Sequence, residues 1–404
     1  MKVTIVGSGF AGVKAALELS KDPHMDIHVI TDKPDFQYYP SLYSSATGHS
    51  HLESWVPLGE IFADRSNIQV TIDSIVGIDA KKKEAIGLSE TRYHYDTLLI
   101  AVGTVTTYFG IPGLDQYSYG IKSADQIRQL KERIYRDLAE HKQLDKNYVV
   151  IGGGPTGVEL ASALGTYLLR LARYHGIRSR HVNIRLIEAA PRLLPRSHPK
   201  ISQRVQRRLE NLGVQIEVGC VVEKETAQSV IAGGRPIASH TVIWTSGVMN
   251  NPLFSAHPEV FKLAKNGRVV VDEHLMAADH IYVLGDNAAT PYCGLAQTAL
   301  HDAKFVAKNL IRKRKRQPLQ TYAAVLPASS IPVGPGWAAF EWKFIRLYGW
   351  PGAVLRRVAD FIGYTDILPI GQAIRPWHAG TIYERDYFAP SVSQSPERHR
   401  KKSS

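Results

Sequence analysis

Cysteine is scarce in this chain of 404 residues, and its scarcity excludes several kinds of redox and metal site. The two cysteines, Cys220 and Cys293, lie far apart in sequence and form no C-x-x-C pair. Neither a redox-active disulfide nor a cysteine-rich zinc site is therefore expected, and no metal site is predicted. Such low cysteine usage is typical of a chain that works in a reducing, cytosolic environment.

Long hydrophobic runs are also missing, since none approaches the ~20 residues that a membrane-spanning helix needs. The chain begins "MKVTIVGSGF" and enters a strand at once, so no signal peptide is expected. Acidic residues are outnumbered: 49 Lys and Arg against 37 Asp and Glu give a net charge of +12. This excess favours polyanionic partners, either nucleic acid or an anionic membrane surface. No basic and aromatic nucleic-acid motif accompanies the charge, so no nucleic-acid partner is predicted.

A glycine-rich loop follows the first apolar strand. The stretch "KVTIVGSGFAG" places Gly7, Gly9 and Gly12 between that strand and the helical run "VKAALELSK". In a dinucleotide-binding unit, the first glycine makes the turn and the second lets the backbone approach a pyrophosphate. The third lets the helix pack closely on the strand. The next strand, "DIHVIT", leads to Asp32, which is placed to accept a ribose hydroxyl. A dinucleotide site is predicted here, and a purely structural turn is the alternative.

The same pattern recurs later in the chain. "YVVIGGGPTGVELASALG" carries Gly152, Gly154 and Gly157, and "VNIRLIEAAPRLLP" ends its strand in Glu188. The excess length between them falls in "YLLRLARYHGIRSRH", which is predicted to be an extended basic crossover helix. An acid at this strand end favours NADH, because the 2′-phosphate of NADPH would meet like charge. Arg192 lies nearby and keeps NADPH as an alternative.

Together these motifs resemble the type II NADH dehydrogenase family. The resemblance covers about residues 1–325 and rests, in order, on "GSGFAG", "YYPSLYSSATG", "TLLIAVGTVTTYFGIPGL", "IGGGPTGVEL", "IEAAPRLLP", "WTSGV" and "YVLGDNAA". The glycine loops are shared by all pyridine-nucleotide flavoprotein reductases, whereas "YFGIPGL" and "LYSSATG" are more specific to this family. The likeness implies a single-chain enzyme at a membrane surface that passes electrons from NADH through FAD to a quinone.

The resemblance also implies the fold and the cofactor contacts. We expect an α/β fold with two Rossmann-like domains and a C-terminal helical segment at the membrane surface. The FAD domain would comprise 1–118 and 253–325, the NADH domain 119–252, the membrane-associating or dimer-packing region 326–390, and a disordered basic tail 391–404. FAD, held non-covalently, would contact Gly7, Gly9, Gly12, Asp32, Thr47, Gly103, Gly285, Asp286, Ala296, Gln297 and Thr298. NADH would contact Gly152, Gly154, Gly157, Glu159, Glu188 and Gly247.

Three polar side chains are candidates for a role in the reaction. Glu159 matches the family's glutamate near the point where nicotinamide meets flavin; a carboxylate favoured by the helix dipole is the alternative. In "AQTALHD", Gln297 and His301 would line the acceptor side of the flavin, with His301 relaying protons to a quinone. The chain departs from the family here, because His301 and Asp302 replace the usual glutamine pair. A polar pair on a solvated helix surface is the alternative.

The region after "NLIRKRKRQP" changes composition and holds four of the six tryptophans, at 337, 342, 350 and 377. We predict one amphipathic helix over "GWAAFEWKFIRLYGW", broken at Pro351-Gly352, and a second one over "AVLRRVADFI" that carries Arg356 and Arg357. Tryptophan beside basic residues on such helices suits the surface of a bilayer. Packing in a core or a homodimer would produce the same pattern.

The function predicted from these features is that of a peripheral NADH:quinone oxidoreductase at the cytoplasmic face of the membrane, without proton pumping. One alternative is a soluble NAD(P)H reductase that serves a protein, a dye or oxygen. A second is a redox sensor that binds FAD and NADH. Sulfide oxidation is disfavoured, because it needs two cysteines next to the flavin and only Cys293 lies near that region.

Overall fold

The structure is a computed structural model that describes residues 1–179 and 181–384. Its strands are β1 (Lys2–Val6), β2 (Asp26–Thr31), β3 (Asp35–Gln37), β4 (Trp55–Pro57), β5 (Ile68–Ile72), β6 (Ile75–Asp79), β7 (Glu84–Gly87), β8 (Arg92–His94), β9 (Thr97–Ile100), β10 (Thr104–Thr106), β11 (Tyr148–Ile151), β12 (Ile184–Glu188), β13 (Val214–Val218), β14 (Val222–Thr226), β15 (Ser229–Ala232), β16 (Arg235–Ala238), β17 (Thr241–Trp244), β18 (Val248–Asn250), β19 (Met276–Ala278), β20 (Ile281–Val283), β21 (Ser329–Pro332), β22 (Ala338–Trp342) and β23 (Ile345–Gly349). Its α-helices are α1 (Phe10–Leu19), α2 (Leu42–Ala46), α3 (Leu58–Ile61), α4 (Leu114–Tyr117), α5 (Ala124–Ala139), α6 (Pro155–Tyr174), α7 (Pro199–Asn211), α8 (Pro252–Ser255), α9 (Ala296–Arg314), α10 (Trp350–Thr365) and α11 (Ile370–Ala379). The predicted tail at 391–404 lies outside the described residues.

The first sheet has the strand order β19-β20-β9-β1-β2-β5, and β1 pairs in parallel with both β2 and β9. Val3 and Ile5 of β1 are completely buried, as expected for a parallel strand covered on both faces. Helix α1 packs against α9, although nearly three hundred residues of chain separate them. Because β20 runs parallel to β9, the turn after β20 and the first glycine loop meet at the same edge of the sheet.

The second sheet has the order β13-β12-β11-β17, with all its strands parallel. Its core includes Tyr148 of β11 and Leu164 and Leu168 of α6, all of them completely buried. The antiparallel pair β10–β18 links the segments that run between the two sheets. The predicted α/β fold with two parallel dinucleotide-binding units is therefore what the chain forms, and the crossover helix α6 ends at Tyr174.

The C-terminal region differs from the prediction in its first half. The stretch from Trp337 to Tyr348, predicted as a helix, instead forms the antiparallel strands β22 and β23, and β21 pairs with β22. Lys343 turns the chain between them in the left-handed region, at φ 54°. The second predicted helix does form, as α10, with Pro351 in its first turn, where a proline costs no hydrogen bond. Among the described residues, no helix is both long and apolar enough to cross a membrane.

The C-terminal region is joined to both nucleotide-binding units. Tyr364, in the last turn of α10, and Ile367, just after that helix, belong to the core of the first sheet. Ile331 of β21 and Ala339 of β22 belong to the core of the second. The region therefore closes over the junction of the two units.

Candidate active site

The first glycine loop has the geometry of an anion-binding cradle. Gly7 has φ +103°, and a β-carbon there would overlap the carbonyl oxygen of Ala101. A β-carbon on Gly12 would overlap the carbonyl of Gly7, so α1 packs as closely as the motif requires. Gly9, by contrast, faces open space, with no atom within 4 Å of its β-carbon position. No side chain caps α1, so its first amide N–H groups remain directed at that space.

Two acidic side chains meet beside this cradle. Asp32 is exposed directly after β2, and Asp286 follows β20 in a short 3-10 turn. Burial raises the pKa of Asp286, and the charge of Arg268 opposes that rise. Partial burial, and then the negative charges of Asp286 and Asp32, raise the pKa of Tyr39. The acids predicted to bind the ribose and the ribityl chain are thus brought together from distant parts of the sequence.

Asn287 is a residue beside the site whose structural role the sequence analysis missed. It is completely buried, and its Nδ2 donates to the carbonyl of Gly103 at 2.7 Å while its Oδ1 accepts from the Gly103 amide at 2.9 Å. Its Nδ2 also donates to Oδ1 of Asn250 at 2.7 Å. Asn287 therefore connects the turn after β20 to the segments that link the two sheets. Its position directly after the Gly-Asp pair was the available signal.

The second glycine loop repeats the geometry of the first. A β-carbon on Gly157 would overlap the carbonyl of Gly152, whereas Gly154 faces open space. The carboxylate of Glu188 accepts hydrogen bonds from the amides of Gly153 at 2.5 Å and Ala190 at 2.7 Å. Glu188 thus reaches the nucleotide loop, as predicted for a ribose ligand, but it also fixes the backbone of that loop.

Arg192 does not extend into the second cradle. Its guanidinium donates to the carbonyls of Leu194 at 3.0 Å and Pro195 at 2.6 Å. The guanidinium of Arg192, the reason that NADPH was kept as an alternative, is therefore engaged by the backbone of its own loop. Gly247 has φ +61°, and a β-carbon there would overlap the carbonyl of Thr107. Glycine at this position lets the segment between β17 and β18 approach the backbone just after β10 closely.

The start of α9 has free backbone donors but engaged side chains. Its N-cap residue, Leu295, provides no capping hydrogen bond, so the amides around Ala296 remain directed outward. The side chain of Thr298 donates to the carbonyl of Tyr292 at 2.8 Å. Gln297 makes two hydrogen bonds with the backbone of Ala328, both at 3.0 Å.

The neighbouring His301 and Asp302 are occupied as well. Nε2 of His301 lies 2.8 Å from the carbonyl oxygen of Ala323, so this residue and Gln297 both hold the extended segment 317–328 against α9. Their predicted role at the acceptor therefore stays a prediction. For Asp302, the alternative of a solvated helix surface is wrong, because this side chain is completely buried.

Asp302 supports the turn that carries Asp286. Its Oδ2 accepts from the amide of Gly285 at 3.0 Å, and its Oδ1 accepts from the hydroxyl of Tyr322 at 2.6 Å. Burial raises the pKa of Asp302 to about 6, and these two hydrogen bonds oppose the rise. Gly285 has φ +64°, so its amide is held in a backbone conformation that favours glycine.

Glu159 lies at the junction of the three regions, in a buried ion pair with Arg356 at 3.4 Å. Arg356 also donates to Asp360 at 2.8 Å and to the carbonyls of Ser330 and Pro40 at 2.8 and 2.6 Å. Burial raises the pKa of Glu159, and the charge of Arg356 opposes that rise. The sequence placed Arg356 on an amphipathic helix that suits either a membrane surface or a packed core, and its side chain points inward to Glu159 and Asp360.

Comparison with known proteins places this geometry in a family. The family described as pyridine nucleotide-disulphide oxidoreductase matches residues 1–303. The type II NADH:quinone oxidoreductase Ndh of Mycobacterium tuberculosis is 31% identical over 357 residues, which cover 80% of this chain and 76% of that protein. The chain belongs to the type II NADH:quinone oxidoreductase family. Another type II NADH:quinone oxidoreductase, from Staphylococcus saprophyticus, is 27% identical and covers 80% of this chain and 85% of its own.

Solved structures share the fold of this type II NADH:quinone oxidoreductase family member. The structure of NDH2 from Plasmodium falciparum in complex with NADH has a TM-score of 0.81 at 17% identity, covering 95% of this chain and 99% of its own. A sulfide:quinone oxidoreductase from Aquifex aeolicus has a TM-score of 0.74 at 18% identity, with 89% of each chain covered. At these identities the likeness concerns the fold alone.

The residues present fit two dinucleotides. Each glycine loop has an uncapped helix start, an open space in front of its second glycine and a carboxylate at the neighbouring strand end. Within residues 1–179 and 181–384, only the first loop is joined by the Gly285-Asp286 turn and the start of α9, which provide further polar groups. These additional polar groups suit the larger flavin dinucleotide at the first loop, with NADH at the second.

Proposed function

We propose that the protein is a peripheral membrane enzyme that oxidises NADH and reduces a quinone, without proton pumping, at the cytoplasmic face of the membrane. Residues 1–118 and 253–325 hold FAD in this proposal, and residues 119–252 hold NADH. FAD, when bound, would accept a hydride from NADH and pass two electrons to the quinone. The chain itself provides binding, orientation and electrostatic stabilisation.

The chain's own groups divide these tasks. The first amides of α1 bind the pyrophosphate of FAD, Asp32 accepts its ribose hydroxyls, and Asp286 binds its ribityl chain. The positive end of α9 would favour negative charge on a flavin bound at the first loop. Glu188 accepts the adenosine ribose hydroxyls of NADH, and Glu159 positions the nicotinamide. A hydride transfer needs no base, so Glu159 has no proton to abstract.

The observation that carries the membrane part of the proposal is an exposed apolar face on the C-terminal region. Phe344, at the tip of the β22–β23 hairpin, is 82% exposed, and Trp350 is 72% exposed. Along the same face, α10 and α11 expose Val354, Val358, Ile362, Ile370 and Ile374. We call these seven side chains the apolar face. A monomeric soluble protein rarely exposes so many large apolar side chains together, whereas a bilayer would bury them.

Basic side chains border the apolar face. Lys343, beside Phe344, places its Nζ 4.9 Å from the ring of Trp342, and Arg375 is exposed on α11. With a net charge of +12, this arrangement matches an anionic lipid surface, to which each basic residue near the surface contributes about 1 kcal/mol. A homodimer that buries the same face is the alternative occupant.

Vesicle binding tests the proposal. Phe344→Asp combined with Trp350→Asp should abolish flotation with vesicles that contain phosphatidylglycerol, because two charges would enter the apolar layer. Turnover with a lipid-embedded quinone should fall, while turnover with ferricyanide should persist. Leu88→Asp is the matched control, since Leu88 is 69% exposed on a different part of the surface.

Other outcomes would favour the competing functions. Unchanged flotation of the double variant would place the membrane contact elsewhere, and a change from dimer to monomer would assign the apolar face to a partner copy. A wild-type protein that binds no vesicles and reduces only soluble acceptors would support a soluble reductase. Turnover well below ~1 s⁻¹ with every acceptor would support a redox sensor.

A further inference from the structure

Helix α7 presents a row of cations to solvent. Its apolar side, which includes Ile201 and Val205, is buried in the core of the second sheet. Lys200, Arg204 and Arg207 are exposed and lie on the opposite side, at the three- and four-residue spacing of a single helical stripe. We call these three side chains the basic stripe.

The basic stripe has no acidic partner. In the part of the chain that the structure describes, none of its three side chains forms an ion pair with a carboxylate. Glu210, near the end of α7, accepts from Nε2 of Gln206 at 3.0 Å, and Glu341 of β22 pairs with Arg346 at 3.3 Å. The stripe therefore carries a positive charge that the described residues do not neutralise.

This charge works against the helix that carries it. Cations three or four residues apart repel each other on a helix, and Lys200 lies in the first turn, where the helix dipole disfavours a cation. That turn contains no acidic residue, and its cap is the ring of His198, whose Nδ1 accepts from the amide of Lys200 at 3.2 Å. An anionic partner would offset the repulsion, because it would neutralise the row of charges.

The basic stripe lies beside the apolar face. Helix α7 packs against β22, and the backbone amide of His198 donates to Glu341 of that strand at 3.3 Å. The guanidinium carbon of Arg204 lies 5.8 Å from the ring centre of Tyr348 in β23. The hairpin formed by these two strands carries Phe344, a member of the apolar face, at its tip. One hairpin therefore joins the charged surface to the apolar one.

We propose that the basic stripe binds the phosphate groups of anionic phospholipids, so that α7 rests on the membrane while the apolar face enters it. The inference rests on the proposed function and extends its membrane contact to the proposed NADH domain, residues 119–252. Guanidinium and ammonium groups form charge-assisted hydrogen bonds with phosphate oxygens. Continuity with the apolar face favours lipid over an acidic protein as the partner. Two contacts on two joined regions would fix the orientation of the enzyme on the bilayer.

Neutralising the stripe tests the proposal. The triple variant Lys200→Gln, Arg204→Gln and Arg207→Gln should lower the affinity for mixed vesicles of phosphatidylglycerol and phosphatidylcholine by about tenfold or more. Each basic residue near an anionic surface contributes about fivefold in affinity. The remaining binding should depend less on salt, because fewer charges are left to screen. Binding to vesicles of phosphatidylcholine alone, which the apolar face provides, and turnover with ferricyanide should not change.

The matched control removes the same charge elsewhere, by Lys81→Gln, Lys82→Gln and Lys265→Gln. These lysines are exposed, and their segments contribute Ile78 and Phe261 to a core that contains no described residue of the C-terminal region. Circular dichroism establishes that both triple variants are folded. Equal weakening by both would mean that net charge alone acts, and would overturn the stripe as a binding surface.

Two further outcomes separate this inference from the proposed function. Unchanged binding of anionic vesicles by the folded stripe variant would overturn the inference and leave an acidic protein as the partner that the stripe fits. A wild-type protein that binds no vesicles would instead contradict the proposed function.

A spin label provides a measurement that does not depend on affinity. In a background with Cys220→Ser and Cys293→Ser, a nitroxide on Gln203→Cys, exposed on α7 beside the stripe, should become accessible to a nickel chelate carried on the lipid headgroups. A nitroxide on Gln228→Cys, exposed in the turn between β14 and β15, should not. A Gln203 label that stays inaccessible while the protein is bound to anionic vesicles would overturn the proposal.

Discussion

The two glycine loops have the same backbone form but are secured in different ways. Gly7 and Gly152 have φ values of +103° and +114°. In the first loop, the hydroxyl of Ser8 lies 2.7 Å from that of Thr31, and the following acid, Asp32, is exposed. In the second loop, the acid itself, Glu188, accepts the hydrogen bond from the loop amide. One acid is thus available for a ligand alone, and the other also supports the backbone.

The two cradles also differ in how much of the chain assembles them. The second cradle is built by neighbouring strands of its own sheet. For example, the hydroxyl of Thr245, just after β17, donates to the carbonyl of Ile151 at the end of β11 at 2.9 Å. The first depends on the turn at Gly285, which in turn depends on Asp302 and Tyr322. The proposed flavin site should therefore be more sensitive to remote substitutions than the proposed NADH site.

The largest expected effect comes from blocking either cradle. Gly9→Glu should abolish FAD binding, because a side chain would enter the open space at the start of α1 and a carboxylate would repel the pyrophosphate. Gly154→Glu should leave FAD bound but abolish its reduction by NADH. Absorbance at the flavin band and anaerobic titration with NADH distinguish the two. Retention of full flavin absorbance by the Gly9 variant would contradict the assignment of FAD to the first loop.

A smaller effect is expected from the remote support of the first cradle. Asp302→Leu should weaken FAD binding roughly tenfold, because the buried amide of Gly285 loses its acceptor. Tyr322→Phe removes only the hydroxyl donor to Asp302 and should cost less. FAD affinity is measured from the fluorescence of the released cofactor. Equal losses of FAD and NADH affinity would indicate general unfolding and not a local support.

The same residue predicts a pH dependence. Because burial raises the pKa of Asp302 to about 6, its carboxylate is ionised at neutral pH and takes up a proton as the pH falls through 6. The protonated form is a weaker acceptor for the Gly285 amide, so FAD binding by the wild type should weaken over that interval. Asp302→Asn, which cannot ionise, should show a flatter profile between pH 7 and pH 5.

The smallest effect concerns the choice of nucleotide. Glu188→Ser should narrow the preference for NADH over NADPH, by roughly fivefold to tenfold in kcat/KM, because the repulsion of the 2′-phosphate is removed. It should also raise the KM for NADH, since the Gly153 amide loses its acceptor. Arg192→Ala, which alters a cation folded onto its own loop, should change the ratio less than twofold. A wild type that prefers NADPH would contradict the assignment.

The cofactor loops could be recognised from the sequence because their requirements are local. Glycine is needed where a β-carbon would overlap a nearby carbonyl, as at Gly7 and Gly12, and these positions fall within one strand, turn and helix. The relatives and the fold confirm the family that those motifs indicated. The contacts of Asp302 and Arg356 were not predictable in this way, because their partners lie in other regions of the chain.

The sequence by itself determined the two nucleotide-binding units, through glycine spacing, apolar strands and the acids that follow them. Only the tertiary structure decided the form of the C-terminal region. The aromatic stretch that contains Phe340 and Leu347 suits a helix or a strand equally well, and pairing with β21 makes it a hairpin. The tertiary structure also decided that Arg356 is buried beside Glu159 while Trp350, on the same helix, is exposed. A charge on an amphipathic helix does not reveal whether its partner is lipid or a buried carboxylate, because that depends on what packs against each face.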